Sequence, residues 1–195
     1  MAKIKVKINK VNNLTDARYF AAMGVDYLGF CCNTGTEMYC SPQKIKEITD
    51  WVEGPAFVYE FDGWQDYSDI LSVLDMGKPD AVHLGAFATY EGSFHLPIFK
   101  DFILENLNEI DLSTIDFPVL RSDKTYKELT KEEKEIVRNA SKQKPVILDI
   151  NIKASDLNDI LSELNVNGII LRGGDEEKVG FKSFEELDLI FDALQ

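Results

Sequence analysis

Short runs rich in β-branched and aromatic residues alternate with longer amphipathic stretches along almost the whole chain, and this order constrains the fold more than any other feature. Strands are predicted over Ile4–Ile8, Tyr27–Cys31, Ala56–Phe61, Asp80–Leu84, Phe117–Leu120, Val146–Ile150 and Gly168–Leu171. Between them, helices are predicted over Leu14–Met23, from Ser41-Pro42 through Trp51, and over Tyr67–Met76. Three more are predicted from about Thr130 to Ala140, over Ser155–Leu164 and over Ser183–Leu194. Ser41 followed by Pro42 is a helix-start signal, because serine caps free backbone amides and proline lacks one. Leu157, Ile160, Leu161 and Leu164 stand three and four apart, which makes one buried helical face. Most strands are continuous apolar runs, the pattern of a parallel sheet covered by helices. Pro55, Pro79, Pro118 and Pro145 stand at or just before strands, where the first residue need not donate to the ladder.

Two architectures satisfy this order: a TIM-type β/α barrel and an open doubly wound sheet. No Gly-x-Gly-x-x-Gly follows the first strand, which removes the dinucleotide-binding form of the open sheet. The barrel is therefore expected, as a single domain over residues 1–195. Region 86–116 breaks the rhythm, with one expected helix at Phe99–Asn108. Ser93–Ile98 is a possible eighth strand; otherwise one βα unit is irregular or missing there. Phe87, Tyr90, Phe94 and Phe99 either pack over the barrel opening or form a dimer face, so both monomer and homodimer remain open.

A formal charge of −13 opposes binding to nucleic acid, which depends on lysine and arginine contacts to phosphate, and opposes anionic lipid. No apolar run is long enough to span a membrane, and the first residues contain no signal-peptide core, so a cytoplasmic protein is expected. Cys31, Cys32 and Cys40 are an odd number, with the first two on opposite faces of a strand, which fits reduced thiols. His83 and His95 stand in no metal-ligand spacing; neither a metal nor a cofactor is expected.

Strand parity locates candidate chemistry. Lys5, Lys7 and Asn9 share one face of the first strand, and Ile4, Val6 and Ile8 share the other. In a helix-covered barrel the apolar face meets the helices, which sends the lysines inward, where they need partners. Glu60, Asp149, His83 and Arg121 are the candidates on or beside other strands. A polar, mixed-charge centre is expected toward the C-terminal strand ends, where barrel enzymes work. There Lys7 is a candidate base or Schiff-base nucleophile, and Cys32 a candidate thiol near the end of the second strand. Arg172-Gly173-Gly174, after the last strand, has the donors and the flexible turn to cradle an anion, although Asp175-Glu176-Glu177 lowers the local potential.

The chain resembles phosphoribosylanthranilate isomerase, a β/α-barrel enzyme of tryptophan biosynthesis, over about two-thirds of its length. The resemblance rests on Lys5–Ala17, Gly24-Val25-Asp26-Tyr27-Leu28-Gly29-Phe30, Tyr39-Cys40-Ser41-Pro42 and Ala81-Val82-His83-Leu84. It continues in Gly168–Gly174 and Val179-Gly180-Phe181-Lys182, whereas residues 86–144 match poorly. The family writes its first strand Lys-Ile-Cys-Gly, and the cysteine is the catalytic base. Here those last two positions are Asn9 and Lys10, and Asn9 also suits a strand-end turn. The family's substrate-holding arginine before Tyr-Val-Ser-Pro corresponds to Met38. Its catalytic aspartate on the sixth strand has Asp123 as the nearest acid by position, and the Gly-Gly-Thr-Gly phosphate loop that follows is absent. Its seventh strand ends Ala-Gly-Gly-Leu, where this chain reads Leu148-Asp149-Ile150-Asn151.

The resemblance thus implies a divergent barrel that has lost the ancestral activity and binds a small anionic or phosphorylated metabolite. Two alternatives stand beside it. One is an active enzyme, either the isomerase working through substituted residues or an altered isomerase or lyase using Asp123, Asp149 or Lys7. The other is a structural or protein-interaction scaffold.

Overall fold

Eight parallel strands close into a barrel in the computed structural model, in the order β1-β2-β3-β4-β5-β6-β7-β8. The structure describes residues 4–63, 65–88, 94–107, 112, 115–173, 176–178, 181–182 and 184–194. The first half runs β1 (Lys5–Asn9), α1 (Leu14–Ala22), β2 (Tyr27–Cys31), α2 (Pro42–Thr49), β3 (Ala56–Phe61), α3 (Tyr67–Gly77) and β4 (Ala81–Leu84). The second runs β5 (Ile98–Ile103), β6 (Phe117–Thr125), α4 (Lys131–Gln143), β7 (Ile147–Asn151), α5 (Leu157–Leu164), β8 (Gly168–Arg172) and α6 (Glu185–Leu194). A small antiparallel pair, β9 (Glu176–Lys178) and β10 (Phe181–Lys182), precedes the last helix. Pairing of β1 with β8 through Lys5↔Gly168 to Asn9↔Arg172 closes the cylinder.

The irregular part falls in region 86–116. Among the described residues no helix follows β4, and only the single 3₁₀ turn Leu104–Asn106 follows β5. The helix expected over Phe99–Asn108 is corrected: its first half is strand β5, paired with β4 through Val82↔Ile98 and with β6 through Phe99↔Phe117. Phe99, Phe102 and Ile103 are spaced three and four apart, a helical period. The register with two neighbouring strands overrides that local signal. The eighth strand thus begins at Ile98 rather than ending there; Ser93, where it was expected to start, lies outside the described residues.

Local signals hold the helices in place. Ser41 accepts a hydrogen bond from the Lys44 amide at the start of α2. Thr130 and Glu133 form a reciprocal capping box on α4. α5 buries Leu157, Ile160 and Leu164 completely, each worth about 1.5–3 kcal/mol on removal from water. Phe94 packs against Tyr67, and Phe99 is buried inside the barrel. Phe87 is exposed, and Tyr90 lies outside the described residues.

Inside the barrel, residues two apart on a strand change character. The lower layer is apolar: Val58, Ala81, Phe99, Val119, Ile147 and Ile170 pack together. Two residues further along each of these strands stand Glu60, His83, Asp101, Arg121, Asp149 and Arg172. A polar layer therefore sits on an apolar plug, at the C-terminal ends of the strands.

Candidate functional site

The polar layer is a chain of ion pairs and hydrogen bonds that runs around the barrel. Lys7 is fully buried, and its ammonium donates to the Glu60 carboxylate and to the side-chain oxygen of Asn9. The other Glu60 oxygen accepts the Lys10 backbone amide at 3.0 Å. His83 lies between two carboxylates, with Nε2 2.7 Å from Asp101 Oδ1 and Nδ1 3.9 Å from Glu60 Oε1. Arg121 Nη1 donates to Asp101 Oδ2 at 3.2 Å, and its Nε lies 3.7 Å from Asp149 Oδ2. Arg172 Nη2 closes the sequence on both Asp149 oxygens, at 2.9 and 3.0 Å. Lys7, Arg121 and Arg172 are thus matched by Glu60, Asp101 and Asp149, before any charge on His83 is counted.

β2 contributes space rather than charge. A Cβ built on Gly29 would lie 1.8 Å from Glu60 Oε1 and 2.7 Å from Lys7 Nζ, so only glycine leaves room for this pair. Lys10, just after β1, has φ 58°, the left-handed region that disfavours side chains. Its ammonium pairs with Asp62 at 2.8 Å, and its backbone amide supports Glu60.

Burial alone would raise the Glu60 carboxyl, but the Lys7 ammonium and His83 outweigh it and hold it down at about 2. The Asp101 carboxyl is likewise raised by burial but brought down to about 2 by His83 and Arg121. For His83 burial favours the neutral ring, yet the Asp101 charge and hydrogen bond, with Glu60 nearby, raise it above its ordinary value. The layer is therefore built of opposite charges that hold one another in place, although burial raises the Asp149 carboxyl despite Arg172 and Arg121, and His83 Nδ1 has no hydrogen-bond partner among the described residues. No described group of three or more histidine, cysteine or acidic residues is arranged to hold a metal ion.

The remaining sequence candidates lie elsewhere. Lys5, the third residue of the lysine face, is exposed at the lower rim and pairs with Asp26 at 2.6 Å. Cys32 lies in the hydrophobic layer between strands and helices, and burial pushes its thiol up, away from the reactive thiolate. Asp123 is exposed, on the part of β6 that continues past Arg121. Gly173 follows β8 directly, and Gly174 lies outside the described residues. Asp101 escaped the sequence reading because β5 was read as helix. The Phe99–Asp101 alternation, which repeats the Val58–Glu60 step of β3, is the signal that points to it.

Above the polar layer a cavity of about 420 Å³ opens at the ends of β3 to β6. Asp62, Glu105, Arg121, Ser122 and Asp123 supply its polar wall, and Phe87, Ile103 and the 85–86 backbone supply the rest. Arg121 alone among the described residues belongs to both the layer and the cavity. No helix among the described residues is long and apolar enough to cross a membrane.

No protein-family model matches the chain, and no curated protein matches it. Solved structures do. A phosphoribosyl anthranilate isomerase from Thermus thermophilus superposes with a TM-score of 0.78 at 22% identity, covering 98% of each chain. TrpF from Jonesia denitrificans gives 0.77 at 13% identity, over 98% of this chain and 96% of its own. A 3-keto-L-gulonate-6-phosphate decarboxylase from Vibrio cholerae gives 0.65 at 11% identity, over 99% and 98%. One barrel thus hosts different activities, so fold likeness alone does not assign one. The fold of this chain is a TIM-type β/α barrel similar to that of phosphoribosyl anthranilate isomerases.

Proposed function

We propose that this chain is a divergent phosphoribosylanthranilate isomerase-like barrel that has lost the ancestral isomerization and keeps a small-molecule site at the mouth of its strands. The observation that carries this reading is the closed charge layer, above all the turning of Arg172 onto Asp149. Isomerization of an aminoribose needs a base, an acid and a grip on phosphate. At the position that resembles the family's catalytic cysteine stands the Asn9 amide, which takes no proton at neutral pH and whose oxygen already accepts from Lys7. Arg172 has the charge to bind phosphate, but its Nη2 already donates to both Asp149 oxygens, and that carboxylate repels a second anion brought beside it. Drawing Arg172 away would leave the Asp149 carboxylate, 1% exposed, with only the longer 3.7 Å contact to Arg121, which is costly in a buried site.

Arg121 is better placed to receive an anionic group. Its side chain lines the mouth cavity, which Arg172 does not, while Asp101 and Asp149 hold its inner edge. The reading is tested by expressing the chain in a strain that lacks the isomerase and requires it for growth without tryptophan. Soluble, folded protein without growth is the expected result, and growth overturns the proposal.

A further inference from the structure

The mouth cavity holds charges of both signs, and their balance narrows what fits inside. Arg121 and Asp123 stand two residues apart on β6, where its register with β7 becomes irregular, and both line the cavity. Arg121 Nη1 is taken by Asp101 and Nε lies 3.7 Å from Asp149, which leaves Nη2 of the guanidinium for the cavity. Across from it, Asp62 is neutralised by Lys10 at 2.8 Å. Glu105 accepts from Ser122 and has Lys124 at 3.7 Å, but that ammonium binds Glu133 at 2.5 Å. Asp123 has no ion-pair partner among the described residues.

Three ligand classes meet this wall differently. A phosphate would bind Arg121 but face Glu105 and Asp123. A simple cation would satisfy Asp123 but leave the guanidinium beside it. A molecule with one carboxylate and one ammonium satisfies both, without adding net charge. Phe87, 61% exposed, and Ile103 add an apolar wall that such a molecule covers with a hydrocarbon side chain. A volume of about 420 Å³ lies low in the roughly 300–1,000 Å³ span of ligand pockets, which suits a molecule this small.

We propose that the cavity binds a zwitterionic α-amino acid with an apolar side chain. Its carboxylate lies on Arg121, its ammonium on Asp123 and Glu105, and its side chain against Phe87 and Ile103. This inference rests on the reading of the mouth as a small-molecule site and names the ligand class for it.

Calorimetric titration of the full chain tests it with five probes: L-leucine, L-phenylalanine, L-phenylalaninamide, N-acetyl-L-leucine and inorganic phosphate. At least one free amino acid should bind, with the amide of phenylalanine and the acetylated leucine each at least tenfold weaker than their parents. Asp123→Asn should weaken the amino acid by tenfold or more and leave thermal unfolding unchanged, because Asp123 is exposed and bound to no charge among the described residues. A derivative that binds as well as its parent overturns the zwitterion and retains a small-molecule mouth. Binding of phosphate alone overturns it in favour of a phosphorylated ligand, and no binding of any probe to folded protein overturns it outright. The growth test above reports on the lost isomerization independently of all these outcomes.

Discussion

Replacing Glu60 with glutamine removes one charge from the most deeply buried ion pair and leaves the Lys7 ammonium without a counter-charge beside Asn9 and Phe99. The structure supplies a magnitude. The Glu60 carboxyl is held at about 2, against an ordinary 4.5, a difference of about 2.5 units. At about 1.4 kcal/mol per pKa unit this is on the order of 3 kcal/mol of stability. It agrees with the ~3–5 kcal/mol usual when one partner of a buried pair is deleted. Because the folded value lies below the unfolded one, the contribution is fully present above pH 4.5 and is lost as pH falls through about 2. Glu60→Gln should therefore be about 3 kcal/mol less stable than the parent at pH 7, with that difference shrinking toward pH 2. Urea unfolding followed by circular dichroism measures both effects, read at constant dependence on denaturant. A loss below about 1 kcal/mol, with the acid dependence unchanged, would refute the reasoning, since it would mean that water already screens the pair.

Gly29→Ala places a methyl group 1.8 Å from Glu60 Oε1, so the carboxylate must leave Lys7. A loss close to that of Glu60→Gln, roughly 3 kcal/mol by urea unfolding, is expected, and wild-type stability would show that the pair lies elsewhere. At Lys10, glycine and alanine both remove the Asp62 pair, but only alanine keeps a Cβ in the left-handed conformation. Lys10→Gly should therefore unfold about 1 kcal/mol later than Lys10→Ala; equal stability argues against the positive φ. His83 is raised above its ordinary 6.5, so its charged form contributes stability below that pH and loses it as pH rises through the folded value. Imidazole resonances followed by nuclear magnetic resonance should show His83 titrating above 6.5, and a ring that stays neutral down to pH 6 contradicts the placement between Glu60 and Asp101.

The barrel was legible because its signals are local and repeated: apolar runs, helix caps and prolines before strands each mark a boundary without reference to the rest of the chain. The inward direction of Lys7 and Asn9 was legible for a similar reason, since strand parity alone separates them from Val6 and Ile8. β5 was not. Phe99, Phe102 and Ile103 satisfy a helical period, and only pairing with β4 and β6 decides otherwise. Asp101, the residue that joins His83 to Arg121, was hidden with it. The direction of Arg172 was hidden too. Whether a guanidinium after a strand faces solvent or a neighbouring carboxylate depends on the barrel register, here Asn9↔Arg172 and Arg121↔Asp149, which no short segment encodes. The acidic wall of the cavity unites Asp62, Glu105 and Asp123 from three strand ends, and their proximity exists only once the barrel has closed.

The central claim is that the charge layer has replaced isomerase chemistry. The most direct test is to incubate purified, folded protein at high concentration with N-(5'-phosphoribosyl)anthranilate and follow its consumption. The account predicts a rate equal to that without protein. Protein-dependent turnover that disappears in Asp149→Asn would contradict it, because the layer would then be working as an active site.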